Sequence, residues 1–361
     1  MSVEFIGFVG NHNASEVIPA TGPVIDLAFI EAMAKVQENG GFDRVLLAFH
    51  ASTPECLLVG QHVASVTDRL GLMVAHRPGF VAPTLTARQF ATLDHITRGR
   101  AAIHIITGAD DAELARDGDH LTKSERYARA QEYLDIVRQE WTASTPFDYA
   151  GKYYRVEQAI SSVRPYTPAG IPVYFGGTSP EAIEVAGRHA DIYALWGESL
   201  DQVRELIARV RAAASKHGRT PRFSLSLRPV IADTEEAAWA RADALVEQAG
   251  RLREKLGAAV PIRATSDGAR RLLEAAGRGS RVDRRLWTSM AALTGAMGNS
   301  TGLVGTPDQV ADAMLDYYDL GITTFVIRGF DPIGDAYAYG RDLIPRVREA
   351  VAARRQTQAA A

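Results

Sequence analysis

Polar and aromatic residues stand at the ends of otherwise apolar runs in this chain: Asn11 and His12, His50, His76 and Arg77, Thr107, Gly176-Gly177-Thr178-Ser179, Trp196 with Glu198, Arg228, and Arg328. Such imidazole, guanidinium and hydroxyl groups can hold an anion, move a proton or orient a small molecule. FGGTSPEA (175–182) is the most informative of these ends. Its paired glycines let the backbone approach a ligand closely. Thr178 and Ser179 bring hydroxyls and capping capacity, and Pro180 and Glu181 open a helix. Amide hydrogens at a helix start attract phosphate. A plain capped loop would account for Ser179 and Pro180 while leaving the two glycines idle. HIITGAD (104–110) raises a second question, since a strand that needs only a glycine to turn ends on Thr107 and runs into Asp110 and Asp111. KSERYARA (123–130) opens a helix with Ser124 as its expected cap and Arg126 and Tyr127 in the first turn. A base there opposes the helix dipole. Either Arg126 reaches an acid or a phosphate, or this is a solvated helix start with Tyr127 in the core.

Other chemistries are not signalled. There is no GxGxxG after the first strand, no Walker loop and no HExxH or His-x-His pair. No metal site is expected. Cys56 is the single cysteine, which excludes an intramolecular disulfide and a thiolate zinc site, and it reads as packing rather than a nucleophile. The 361 residues are 46% hydrophobic and 23% charged, and 40 basic against 43 acidic side chains are spread evenly. That balance argues against nucleic acid as a partner. No stretch is apolar for long enough to span a bilayer, and the first residues lack the basic start and apolar core of a signal peptide. A cytoplasmic protein is expected.

The elements that must position these groups recur regularly. Apolar runs at 4–10, 44–50, 71–76, 101–108, 172–177, 191–196, 223–232 and 323–329 read as strands. They are continuous rather than alternating, as parallel strands covered on both faces are. Amphipathic stretches at 26–39, 56–66, 84–97, 124–142, 180–189, 200–217, 234–256, 307–319 and 334–353 read as helices. About eight βα units predict a (β/α)8 TIM barrel, with an open doubly wound sheet as the alternative. A single domain over 1–353 is expected, with insertions at 143–171, a hairpin, and at 257–303, which carries a further helix and an active-site lid at 288–303. Residues 354–361 read as a frayed tail. In such a barrel the active groups sit at the C-terminal ends of the strands.

Three segments together resemble the bacterial luciferase-like flavin monooxygenases, and within them the alkanesulfonate monooxygenases: RQFATLDHITRGRAAIHIITGADDAELARDGDHLTKSERYARAQEY (88–133), IPVYFGGTSPEAIEVAGRHADIYALWGES (171–199) and RFSLSLRPVIADTEEAAW (222–239). The resemblance runs from about residue 3 to 350 and is weakest over 257–300. It implies a barrel binding reduced FMN at its C-terminal face, with Thr107 against the isoalloxazine or its oxygen adduct, and Asp110 and Asp111 as loop and cap residues beyond it. It places Tyr127 near the FMN phosphate and makes Gly177, Thr178 and Ser179 the phosphate loop. His12, Trp196 and Tyr337 match active-site positions of the alkanesulfonate enzymes.

The departures fall on the substrate side. Where those enzymes carry Arg-x-His on the seventh strand, this chain has Ser226-Leu227-Arg228. Their lid arginine falls at about Thr294, and the cysteine of the strand-2 loop falls at Thr53. Either Arg228 replaces the missing positive charge, since a guanidinium pairs with an oxyanion, or the pocket takes another organosulfur or an unrelated small molecule. The roles implied are oxyanion contact or proton donation for Arg228, positioning near the flavin for Thr107 and His12, and a donor for Tyr337. Trp196 would face both cofactor and substrate. The activity implied is an FMNH2-dependent two-component monooxygenase acting with O2 on a small organic substrate. An alkanesulfonate would yield sulfite and an aldehyde. The FMNH2 would come from a separate NAD(P)H-dependent flavin reductase, and a homodimer or homotetramer is implied. The alternatives are a deazaflavin (F420)-dependent hydride-transfer oxidoreductase and a flavin-binding protein without oxygenase activity.

Overall fold

The structure, a computed structural model, describes residues 2–257 and 266–360. Eight parallel strands close into a barrel. In chain order they are β1 (Glu4–Phe8), β2 (Arg44–Leu47), β3 (Gly71–His76), β4 (Ala101–Ile105), β5 (Val173–Gly176), β6 (Ile192–Trp196), β7 (Arg222–Leu227) and β8 (Ile322–Ile327). Neighbours in sequence are neighbours in the barrel, and β8 returns to pair with β1 through Glu4↔Thr324 and Phe5↔Phe325. The eight expected strands are all present, because their apolar runs are long enough to bury both faces. Among the described residues no helix is long and apolar enough to cross a membrane.

By its internal contacts the chain divides into two compact units, residues 1–46, 194–208 and 222–361, and residues 47–193 with 209–221. The helices of each begin at identifiable caps. In the first unit, Asp26 accepts Phe29 N–H to start Leu27–Asn39, and a capping box of Thr306 and Gln309 starts Pro307–Leu320. In the second, Thr122 and Glu125 form the capping box of Lys123–Thr142, so Thr122 and not Ser124 is the cap. Ser124 instead donates toward the Glu181 carboxylate at 3.4 Å. The reciprocal Thr-x-x-Glu bonds satisfy two amides at once, which a lone serine inside the helix cannot do.

The 143–171 excursion is an antiparallel hairpin, Phe147–Ala150 with Arg155–Ala159. Its turn is held by the Glu132 carboxylate, which accepts the amides of Lys152, Tyr153 and Tyr154 at 2.8, 2.8 and 3.1 Å. The second insertion is richer than a helix and a lid. The run 223–232 is not one strand: β7 stops at Leu227, and Val230–Ile231 joins a separate four-stranded sheet with Gly302–Gly305, Leu286–Trp287 and Arg281–Val282. Pro229 has no amide for the barrel ladder, so the chain leaves it there. Residues 258–265, within the expected insertion, lie outside the described residues. The segment 354–360, expected as a tail, continues the helix Ile344–Ala360.

Candidate active site

In the first unit a cavity of about 360 Å³ opens at the C-terminal ends of β1 and β8. His12, Glu16, Arg228, Arg328 and Tyr339 line it, together with the apolar Phe8, Phe29, Met33, Phe42 and Ile327. The structure thus brings together His12 and Arg228, as the sequence implied, and adds two residues that sequence reasoning did not single out. Nothing in NASEV marks Glu16 as more than a loop acid. Tyr339 enters through a π-turn, Tyr339–Leu343, in which the widened helix carries it inward. Its hydroxyl donates to the Pro229 carbonyl at 2.5 Å, and burial holds its pKa well above the usual value. Tyr337, two residues earlier, is 57% exposed under the Arg341 guanidinium and is not part of the cavity lining.

Arg228 is 1% exposed and already engaged. Its Nη1 lies 2.6 Å from Glu16 Oε1, its Nη2 donates to Gly329 O at 2.7 Å, and its plane stacks 3.6 Å from the Phe330 centroid. Arg328 donates to the same Glu16 oxygen at 2.9 Å. Burial pushes the Glu16 carboxyl up, but the two guanidinium charges and the Arg228 hydrogen bond outweigh it and bring it down to about 2. Burial and the facing Arg228 charge lower Arg328 to about 10, against the pull of Glu16. His12 Nδ1 lies 3.2 Å from Val24 O. A carbonyl only accepts, so Nδ1 carries the proton in that bond and Nε2 remains for a ligand.

The other implied residues of this unit stand elsewhere. Ser226 is half-buried on β7, in register with Val326. Trp196 packs its ring on Gly268, where a Cβ would come within 3.1 Å. Thr294 is buried, and its hydroxyl donates to Met290 O one helical turn back, which uses its one proton internally. The Gly-rich segment expected to close as a lid is largely built in: Ser289–Thr294 is a helix and Gly302–Gly305 a buried strand. Gly302 lies against the backbone of Arg228, and a Cβ there would sit 2.1 Å from Arg228 O. Gly302→Ala should therefore destabilise by about 1–3 kcal/mol in urea unfolding, through the backbone shift that overpacking forces. An unchanged midpoint would show that this contact yields freely.

In the second unit the FGGTSPEA loop follows β5. Ser179 caps Pro180–His189, accepting Ala182 N–H at 3.3 Å. Gly177 has φ +127, and a Cβ on it would lie 2.8 Å from Ala182 Cβ and 3.0 Å from the Tyr127 hydroxyl. The Tyr193 hydroxyl donates to Gly177 O, and Arg209 reaches Thr178 O at 3.4 Å. The Thr178 hydroxyl is buried with no hydrogen-bond partner among the described residues. Glycine backbone, tyrosine hydroxyl and an orphaned hydroxyl beside a helix start match the donor set a phosphate needs. Arg126 is not part of it. It pairs with Asp111 at 2.9 Å and donates to Leu121 O at 2.5 Å, so of the two expectations it meets the acid.

The end of HIITGAD resolves residue by residue. Gly108 has φ +79, and a Cβ there would strike the Leu114 side chain. Asp110 caps the short helix Asp111–Ala115, a helix the sequence pattern did not signal. Glu113 on that helix pairs with Arg77 bidentately at 3.1 and 3.0 Å and accepts Ala51 N–H at 2.7 Å. Turn and acids are thus explained by structure, whereas the half-buried Thr107 hydroxyl makes no hydrogen bond among the described residues. Thr53 is exposed and closes its own turn, donating to His50 O at 2.9 Å. Cys56 donates its thiol to Ala75 O at 3.0 Å, and burial pushes it up to about 12, the state of an inert packing residue.

Two half-buried histidines of this unit tie stability to pH. His76 Nε2 lies 2.7 Å from the Tyr133 hydroxyl, which donates to Thr86 at 2.5 Å. Burial lowers His76 to about 4, and burial likewise lowers His104 to about 4 against a raising contribution from the Tyr174 backbone. The unfolded chain takes up these protons near the ordinary value of 6.5, so between 6.5 and 4 the unfolded state binds more protons. Their contribution is complete above pH 6.5 and is lost as pH falls toward 4. A His76→Gln variant should flatten the stability–pH curve in that window by roughly 2–3 kcal/mol. Denaturation midpoints that keep the same pH slope would contradict this.

Among the described residues no group of three or more His, Cys, Asp or Glu could hold a metal ion. Residues 3–324 match the luciferase-like monooxygenase family. Solved structures superimpose over nearly the whole chain. Riboflavin lyase with modified FMN and riboflavin has a TM-score of 0.78 at 20% identity, covering 97% of this chain and 92% of that one. EDTA monooxygenase from Chelativorans sp. BNC1 has 0.76 at 21%, covering 97% and 94%. An F420-dependent secondary alcohol dehydrogenase in complex with an F420-acetone adduct has 0.69 at 17%, covering 96% and 99%. At these identities the likeness is one of fold.

Proposed function

Because the chain belongs to the luciferase-like monooxygenase family, we propose that it is a flavin-dependent monooxygenase that binds FMNH2 delivered by a separate NAD(P)H-dependent reductase and oxygenates a small organosulfur substrate, an alkanesulfonate in the first instance. The observation that carries the FMN assignment is the loop of Gly177 and Thr178, whose buried hydroxyl has no partner among the described residues. Thr178, the Gly177 backbone, Tyr127 and the Ser179-capped helix start would hold the phosphate. The Thr107 hydroxyl is free to meet the ring. When bound, reduced flavin supplies two electrons and activates dioxygen. For a sulfonate, one oxygen atom would end in the aldehyde and the other in water, with sulfite leaving from the carbon. Arg228 would hold the substrate's oxygens, and His12 Nε2 would accept a proton or orient the substrate. The apolar walls of the cavity would keep water out. A homodimer or homotetramer, as the resemblance implies, is part of the proposal.

Anaerobic titration with FMNH2, followed by rapid mixing with oxygenated buffer, tests this. Tight binding and reoxidation slowed relative to free flavin, then sulfite release from a sulfonate panel, is the expected result. Binding with unaltered reoxidation would mark a flavin carrier. Failure to bind FMNH2 with capture of reduced F420 would move the chain to the hydride-transfer enzymes, whose fold it also shares.

A further inference from the structure

Glu16 places one carboxylate oxygen 2.6 Å from Arg228 Nη1 and 2.9 Å from Arg328 Nη2. Two guanidinium charges therefore meet one carboxylate, a surplus of one positive charge at the cavity. Among the described residues that line the cavity no second acid supplies the balance. Asp335, the nearby buried carboxylate, is taken up by Arg241 and by the amides of Phe330 and Asp331 at 2.7 and 3.0 Å. The Nε atoms of Arg228 and Arg328 are buried and have no hydrogen-bond partner among the described residues. Buried, unsatisfied cationic donors are costly, and an anion arriving in the cavity would satisfy both charge and hydrogen bonds. Away from the arginines the walls carry Phe8, Phe29, Met33 and Phe42, with Gln37 among them bonded to the Phe8 and Met33 backbone.

We propose that the cavity takes a small organic monoanion, a sulfonate or carboxylate on an apolar body, and that Glu16 sets this valence by cancelling one of the two arginine charges. The proposal rests on the reading of this cavity as the substrate site. It makes Glu16 a specificity-determining residue that acts through the arginines rather than on the reacting atoms.

Charge-changing variants separate the possibilities. Glu16→Gln raises the surplus to two, and Arg328→Gln reduces it to none. Methanesulfonate and inorganic sulfate present the same three-oxygen face and differ by one charge. Calorimetric titration of both into flavin-free protein at low salt reads the preference without turnover. The wild type should favour methanesulfonate. Glu16→Gln should shift the ratio of affinities toward sulfate by about tenfold or more, and Arg328→Gln should weaken both anions by about tenfold. If Glu16→Gln fails to fold, the Glu16→Gln/Arg328→Gln pair restores a surplus of one and should recover the wild-type preference. A ratio that stays constant across the variants would overturn the role of Glu16. Absence of anion binding by the wild type would overturn the monoanion site. FMNH2 binding, measured separately, would show whether the proposed function fails with it.

Discussion

Glu113→Ala should lower the unfolding free energy by about 3–5 kcal/mol, because it strands a buried guanidinium without its counter-charge. Arg77 is 3% exposed and makes both of its strong bonds to that one carboxylate, with Phe49 and Phe80 rings 4.8 and 5.6 Å from its centre. Burial raises the Glu113 carboxyl, but the Arg77 hydrogen bonds, the Ala51 amide and the Arg77 charge prevail and keep its pKa lowered. The loss would also release Ala51 N–H and the helix Asp111–Ala115, and with them the turn carrying Thr107. Urea unfolding measures it, and the Arg77→Met/Glu113→Leu pair is the control. Replacing both charges by apolar groups should return most of the loss. A single variant costing less than about 1 kcal/mol would place this pair with surface ion pairs.

Gly177→Val should abolish useful flavin affinity, raising the dissociation constant for FMN by roughly 100-fold, or about 2.7 kcal/mol. Two effects act together. The φ of +127 is one that a β-branched residue adopts only under strain, and the added carbon atoms would fill the space beside Ala182 and the Tyr127 hydroxyl. Ser179→Ala separates capping from ligand contact: it should cost about 1 kcal/mol of stability, the ordinary value of a cap, with a smaller effect on affinity. Flavin fluorescence quenching reads both. A Gly177→Val protein that is folded and binds FMN as the wild type does would remove this loop from the cofactor site.

Local chemistry was legible in the sequence wherever a residue's partner lies nearby in the chain. Ser179 and Pro180 open a helix as their types dictate, and the eight apolar runs become eight barrel strands. Arg228-Pro229 also carried a signal that could have divided 223–232, since proline cannot continue a ladder. Residues whose partners lie far along the chain were harder to read. Arg228 stood out as a cation, yet its partner Glu16 is more than two hundred residues away, and no spacing rule connects them. Tyr337 was implied where the π-turn delivers Tyr339 to the cavity, because one widened helical turn changes which side chain faces inward. Thr294, where the resemblance puts the lid arginine, spends its hydroxyl on a bond within its own helix.

By itself the sequence determined the barrel and the capped helix start behind the paired glycines, because periodicity, glycine and proline act over a few residues. Only the tertiary structure decided which charges meet. Arg77 with Glu113, and Arg228 and Arg328 on one oxygen of Glu16, are pairings made by strand register and loop closure. Their energies depend on burial and distance, neither of which is written in the order of residues.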